Sequence, residues 1–242
     1  MISKTAMLAL VKAFRAADVD KALTENPALR AVRDERGRNW LHVCCGQKPA
    51  RGKQKDSIKT AEVLLRHGLD KDSVAFTEGN WQATPVWYAI GRGQNLALAE
   101  FLLKRGASPE HSLWAAGFNN DLAAIRLLVK HGATLETVVE ETTPFLGAVQ
   151  GSHFGPAAEL LKLGADPDFR DQHGMTALHY MLKKSSDKKH IAMVVAADAR
   201  GDIPDKAGVT AIDILRKKKD PGLRKLAEQL AASSGARARA TR

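Results

Sequence analysis

A short block of residues recurs along this chain at nearly constant spacing, and it constrains the fold more than any other feature. Each block begins with Thr or Asn and continues into an apolar run, at 39–42, 84–87, 143–146, 176–179 and 210–213. Thr143 and Thr176 are 33 residues apart, and Thr176 and Thr210 are 34 apart. A fixed period of this length predicts a stack of similar repeats, each burying its apolar face against its neighbours.

A second marker, a pair of Leu or Val residues, recurs at 64–65, 102–103, 127–128, 160–161 and 194–195. Thr at a helix start supplies an oxygen for the free backbone N–H groups, and Pro is tolerated in the first turn. Glycines at 68, 106, 132 and 164 follow the second marker, where a left-handed residue can end a helix. Each repeat is therefore predicted to contain a helix, a turn and a second helix.

Two segments, DQHGMTALHYML and AAELLKLGADPD, resemble the two halves of an ankyrin unit, and AEFLLKRGASPE and AIRLLVKHGATLE resemble its second half. The resemblance to the ankyrin-repeat family covers residues 33–230. It implies an all-α ankyrin-repeat solenoid of stacked helix-turn-helix units with short β-hairpin or loop fingers. It further implies about six repeats, preceded by a degenerate capping helix pair at 1–32.

Departures from the period show which segments of this chain are longer or shorter than a regular repeat. Asn39 and Thr84 are 45 residues apart, and the excess divides between a basic insert near 47–57 and a longer loop before Thr84. Thr84 and Thr143 are 59 apart, which leaves a short repeat at 107–133 with little room for a finger. Residues 231–242 form a basic tail with nothing to bury, and we expect it to be disordered.

Charge is unevenly distributed. The net charge is +10, with +7 in residues 1–105, −5 in 106–182 and +8 in 183–242. Basic ends favour acidic partners through electrostatic steering. The N-terminal segment is typical of a capping helix rather than a signal peptide, and no apolar stretch approaches the roughly 18 residues of a membrane span. We therefore expect a cytoplasmic, monomeric protein without a membrane partner, in keeping with its two adjacent cysteines.

The motif HVCC at 42–45 is the strongest suggestion of metal or thiol chemistry. Zinc needs about four ligands, and no second pair stands at suitable spacing. In the repeat, His42 takes a buried position at the helix start, while Cys44 and Cys45 replace small alanines. No Ser-His-Asp order or paired carboxylate remains unexplained by the repeat. We expect no enzymatic activity, no cofactor and no metal.

The family resemblance implies a non-catalytic protein–protein interaction module or adaptor whose partner meets the concave face, made by finger tips and first helices. Trp81 is the most informative candidate: it is either a binding hot spot or a residue folded back over the longer loop. The candidate contact residues, all at finger tips or at the ends of first helices, are Arg36, Arg38, Asn80, Trp81, Arg92, Phe118, Asn119, Glu140, Gln172, His173 and Lys183.

Two alternative functions remain open. A bacterial immunity or antitoxin-type inhibitor of an enzyme is one of them. A nucleic-acid-associated factor would use the basic segments KPARGKQK and RKKKDPGLRK. Neither segment has an aromatic residue for base stacking, and the acidic middle would repel a long polyanion. A protein partner is therefore favoured over nucleic acid, and the basic ends favour an acidic one.

Overall fold

The computed structural model describes residues 2–78 and 81–240, and within them the regular secondary structure is helical apart from one small hairpin and two isolated bridges. The all-α prediction is confirmed. Successive helices form the predicted pairs, joined by short turns. The helices are α1 (Lys4–Lys12), α2 (Ala16–Glu25), a 3₁₀ helix (Pro27–Ala31), α3 (Trp40–Gly46), α4 (Gln54–Arg66), α5 (Pro85–Gly91), α6 (Leu96–Lys104), α7 (Ser112–Phe118), α8 (Leu122–Lys130), α9 (Pro144–Gln150), α10 (Phe154–Lys162), α11 (Ala177–Lys183), α12 (Lys188–Ala196), α13 (Ala211–Arg216) and α14 (Pro221–Ala240).

The repeated block fixes where the first helix of a repeat begins. The Thr84 hydroxyl accepts a hydrogen bond from the N–H of Trp87 at 3.3 Å, and that of Thr143 accepts one from Leu146 at 3.2 Å. Proline follows each of these threonines, at a position where the helix needs no N–H. The predicted caps are therefore confirmed, and they determine which side chains stand on the first turn.

The recurring Leu and Val residues form the core. Leu64, Leu102, Leu128, Leu160 and Val194 lie one in each second helix, and all are fully shielded from solvent. Burial of such a side chain stabilises the fold by about 1.5–3 kcal/mol. The second helices thus supply an apolar layer that recurs with the repeat.

The loops before the first helices form the fingers. In the longest one, β1 (Thr77–Glu78) and β2 (Trp81–Gln82) pair as an antiparallel hairpin. The finger before α9 has a single bridge, between Val139 and Thr142. Before α7, residues 105–111 make a connection about half as long as the 131–143 connection before α9, and they contain no strand.

The basic insert divides between a loop and a helix. Residues 47–53 join α3 to α4, and α4 has 13 residues where α6, α8, α10 and α12 each have 9. The additional turn of α4 is residues 54–57. The charges of Lys55 and Asp56 in this turn cancel, so the positive charge of the insert lies mainly in the loop.

The chain forms two compact units. Unit 1 contains α1–α7 and most of α8, within residues 2–119 and 123–134. Unit 2 contains α9–α14, within residues 135–240, together with 120–122. In unit 2, α9 packs on α10 and α11, and α13 packs on α14.

The sequence predicts disorder for residues 231–242, whereas α14 extends from Pro221 to Ala240. Alanine and arginine, which are frequent in this segment, are among the best helix formers. Buried Ala227 and Leu230 anchor the helix at its middle. Residues 241–242 lie outside the described residues.

Candidate functional site

A cleft in unit 1 opens between two successive fingers and the first helices that follow them. Its volume is about 600 Å³, which is within the range of ligand-binding clefts. One side is the turn before α3, and the other is the finger that carries β1 and β2. The cleft is lined by Glu35, Arg36, Gly37, Arg38, Gly46, Ala75, Phe76, Trp87, Tyr88 and Arg92.

Asp34 organises the turn on the first side of the cleft. Its Oδ1 atom accepts hydrogen bonds from the backbone N–H of Arg36 at 2.9 Å and of Arg38 at 3.0 Å. Its Oδ2 atom accepts from Arg38 Nε and Nη2, both at 2.7 Å. Although burial opposes it, the hydrogen bonds from Arg38 hold the pKa of this carboxyl below its usual value. The turn therefore keeps one guanidinium paired and fixed.

The guanidiniums of Arg36 and Arg92 differ from that of Arg38. Both side chains are exposed, and neither makes a hydrogen bond or ion pair with another described residue. Within the lining, three guanidiniums stand against a single carboxylate, that of Glu35. The cleft thus carries positive charge that the described part of the protein does not neutralise.

A continuous set of aromatic rings runs beside and into the cleft. Phe76 contacts Trp81 with ring centroids 5.0 Å apart, and Trp81 contacts Trp87 at 4.7 Å. Trp87 then contacts Tyr88 at 5.1 Å, and Tyr88 contacts His42 at 5.4 Å. All four contacts are edge-to-face, the arrangement that the ring quadrupoles favour. We call these five residues the aromatic ladder.

Tyr88 connects the ladder to the charged rim. The residue is 5% exposed, and its phenol makes no hydrogen bond to another described residue. Burial raises the pKa of Tyr88, while the nearby positive charges of Arg38, Arg92 and Arg36 act in the opposite direction. The phenol is therefore a protonated donor at the floor of a positively charged cleft.

His42 and the two cysteines have structural roles in the core. The ring of His42 lies 2.7 Å from the Asn39 amide oxygen through Nδ1 and 2.8 Å from the Ser73 carbonyl oxygen through Nε2. Burial lowers the pKa of His42 to about 4. Cys44 and Cys45 are fully buried, and burial raises the pKa of both thiols. These groups support α3 and do not face the cleft.

Comparison with solved structures identifies the fold. The human ASB11 ankyrin repeat domain superposes with a TM-score of 0.70 at 19% identity, covering 94% of this chain and 98% of that domain. The Bcl-3 ankyrin repeat domain gives 0.71 at 14% identity, covering 92% and 97%. This chain has the ankyrin-repeat fold. An ankyrin repeat domain from Acinetobacter baumannii AYE gives 0.62 at 20% identity, covering 82% of this chain and all of that one.

Sequence comparisons agree with the fold but reach only parts of larger proteins. The channel pyrexia, a transient receptor potential channel of Drosophila melanogaster, is 26% identical over 183 residues, covering 67% of this chain. The palmitoyltransferase Hip14 of the same organism is 38% identical over 68 residues, covering 27% of this chain. The matched parts are 18% and 10% of those proteins' lengths. No family model matches the chain.

The ankyrin fold brings several of the predicted contact residues together. Arg36, Arg38 and Arg92 all line the cleft. Trp81 borders it through its contacts with Phe76 and Trp87 and remains half-exposed, so it both covers the longer loop and presents a surface. The predicted contact residue Asn80 lies outside the described residues.

Two predicted residues stand at the short repeat, away from the cleft. Phe118 is 64% exposed and stacks on Trp114 at 5.6 Å. The Asn119 amide donates to the carbonyl oxygens of Ile90 at 3.2 Å and Gly91 at 3.1 Å, at the end of α5. Asn119 is thus engaged in holding two neighbouring first helices together.

The other predicted residues lie in unit 2. Glu140 is exposed at a finger tip with a φ of +47°. Gln172 and His173 are exposed in a turn organised by Asp171, whose Oδ1 accepts from the His173 N–H at 2.9 Å. Lys183 is exposed at the last position of α11. These residues do not contribute to the cleft of unit 1.

The predicted contact residues include none of the three aromatic residues that line the cleft, Phe76, Trp87 and Tyr88. A signal for two of them was available: Trp87 and Tyr88 follow Thr84-Pro85, where the matching block at 143 has the smaller Leu146 and glycine. In a chain with 5% aromatic residues, two adjacent rings on the first turn of a helix indicate a specialised surface. Phe76 gave no such signal, because its place depends on how the finger folds.

None of the helices in the described part of the chain combines the length and apolar character needed to cross a bilayer. The same residues contain no group of three or more His, Cys, Asp or Glu side chains placed to hold a metal ion.

Proposed function

We propose that this chain is a non-catalytic protein-binding module that uses the cleft of unit 1 as a principal contact surface. Ankyrin repeat domains generally act as protein–protein interaction modules. The observation that carries the proposal is the juxtaposition of the half-exposed Trp81 with the unpaired guanidiniums of Arg36 and Arg92. Tryptophan and arginine are the residues that most often dominate the energy of protein interfaces.

The environment of the cleft supports binding rather than catalysis. Its nearest imidazole, that of His42, is buried and bonded to Asn39 and Ser73. A catalytic base or nucleophile must be able to reach a substrate atom. The buried thiols of Cys44 and Cys45 do not meet that condition.

A nucleic-acid-associated role for the basic ends is the alternative, and the insert gives it limited support. Lys53 pairs with Asp56 at 2.9 Å, and Lys48 donates to the Gln94 side chain at 2.6 Å. Lysines already paired within the protein contribute less to phosphate binding. An inhibitor of one enzyme is a narrower form of the proposed protein-binding role.

The test is selection of a randomised peptide library, displayed on phage, against the full chain, followed by affinity measurement for the recovered peptides. Trp81→Ala and Arg92→Glu should each weaken binding by at least about tenfold, the scale of a hot-spot residue. The matched control is Arg51→Glu, the same charge change at an exposed residue of the insert that does not line the cleft.

Thermal unfolding of Arg92→Glu and Arg51→Glu should stay close to that of the wild type, because both side chains are exposed. Trp81→Ala should lower the unfolding midpoint modestly, because it removes the ring contacts with Phe76 and Trp87 but leaves the buried core intact. Recovery of no peptide above background would count against the proposal. Peptides whose affinity is unchanged by both cleft substitutions would also contradict it, and a loss caused by Arg51→Glu alone would point to the insert.

A further inference from the structure

The cleft contains a positively charged rim and an aromatic floor, and each part restricts what can bind there. The rim is formed by Arg36 and Arg92, which are exposed and unpaired among the described residues. This charge repels ammonium groups and attracts anions. Planar guanidiniums are suited to carboxylates, which they bind through two parallel hydrogen bonds.

The floor favours an apolar neighbour next to the charged group. Trp87 and Tyr88 are 9% and 5% exposed, so only a small part of each ring faces the cleft. Both rings are packed against aromatic neighbours, Trp81 on Trp87 and Trp87 on Tyr88, and neither has an open face wide enough for a base. Nucleobases bind by stacking on an open ring face. The floor therefore suits aliphatic or aromatic side chains of a polypeptide better than bases.

We infer that this cleft is a subsite for an acidic segment of a partner protein, in which an Asp or Glu carboxylate lies between Arg36 and Arg92 and an adjacent apolar side chain lies on the aromatic ladder. The phenol of Tyr88, which has no hydrogen-bond partner among the described residues, donates to the same carboxylate or to the segment's backbone. This inference rests on the proposed function.

The balance of charges within the cleft limits how much negative charge a bound segment can carry. Arg38 is neutralised by Asp34, and the Glu35 carboxylate also lines the cleft. The remaining excess is about one positive charge in the combined set of three guanidiniums and two carboxylates. A segment with one acidic residue in the cleft matches this excess, whereas a long polyanion would be repelled by Glu35.

The experiment uses the peptides recovered by selection against the full chain. Their sequences should be enriched in Asp or Glu next to an apolar residue. Replacing that acidic residue by Gln or Asn in the peptide should weaken binding at least about tenfold, the effect of losing a charge-assisted hydrogen-bond pair. Tyr88→Phe should weaken it by a smaller factor, since only one hydrogen bond is lost and the guanidiniums still hold the carboxylate.

Charge exchange provides the decisive control. Arg92→Glu should lose affinity for the acidic peptide and regain part of it for the same peptide with Lys at the acidic position. Arg51→Glu should do neither. Binders that map to the cleft but lack acidic residues, or that tolerate the amide replacement, would overturn this inference and leave the proposed function standing. Failure to recover any binder would instead contradict the proposed function.

Discussion

Replacing Gly37 by alanine should force apart the two fingers that border the cleft. Gly37 has a φ of +72°, and a Cβ atom at this position would lie 2.0 Å from the carbonyl oxygen of Ala75 and 3.0 Å from its carbonyl carbon. Both contacts are with backbone, so no rotation of a side chain can relieve them. One finger must move away from the other.

The size of the effect can be separated into two parts with a matched glycine. Gly68 has a similar φ of +87°, but a Cβ atom there would have nothing within 4 Å. Gly68→Ala therefore carries only the left-handed backbone cost, about 1–2 kcal/mol. Gly37→Ala adds an overpacking cost of about 1–3 kcal/mol. We expect total losses of about 2–5 kcal/mol for Gly37→Ala and about 1–2 kcal/mol for Gly68→Ala.

Urea unfolding of the full chain, followed by far-UV circular dichroism, measures both losses in the free energy of unfolding. Peptide affinity gives a second readout, because Gly37 lines the cleft and Gly68 does not. Gly37→Ala should weaken peptide binding, while Gly68→Ala should leave it unchanged. Equal losses of stability in the two variants would refute the close approach of the fingers and the reasoning built on it.

Three further predictions concern the core of unit 1. Burial lowers the pKa of His42 from 6.5 to about 4, so its contribution to stability is complete above pH 6.5 and falls as the pH drops from 6.5 to 4. Urea unfolding over this range should reveal a loss of up to about 3 kcal/mol in the free energy of unfolding, and His42→Gln should remove most of this pH dependence. Cys44 and Cys45 should react with a disulfide reagent only in denaturant, because both are buried and their pKa values are raised; rapid labelling of the native protein would contradict this. Asn95 caps α6 and donates to Ser57 Oγ at 2.8 Å, so Asn95→Ala should cost about 2–3 kcal/mol, with Asn95→Asp intermediate in the same assay.

The regular part of the fold could be predicted because its determinants are local. Thr143 and Pro144 start a helix through contacts within one turn, and Gly164, with a φ of +99°, ends one in the same way. Leu160 is buried wherever an amphipathic helix of this period is stacked. Such features repeat in the sequence, and their spacing indicates both the number and the order of the helices.

The site could be predicted only in part because its contacts join distant residues. The repeat places Arg36 and Arg92 at a finger and at a helix end, but nothing local shows that both line one cleft. The contact between His42 and Tyr88 depends on packing between successive repeats, and that between Phe76 and Trp81 depends on how the longest finger folds. The sequence also does not show that the Arg38 guanidinium is paired with Asp34, because this pairing depends on side-chain geometry in a tight turn.

The added turn of α4 identifies a place where this protein tolerates extra chain. A turn contains about 3.6 residues, so four additional residues leave the apolar face of the helix in its original direction. Ser57, equivalent in the repeat to Asn95, is thereby enclosed within α4, while residues 51–55 are exposed. A foreign epitope or a tether for immobilisation could be grafted into residues 51–55. Inserted residues that make up whole turns would extend α4, and the other inserted residues would lengthen the loop.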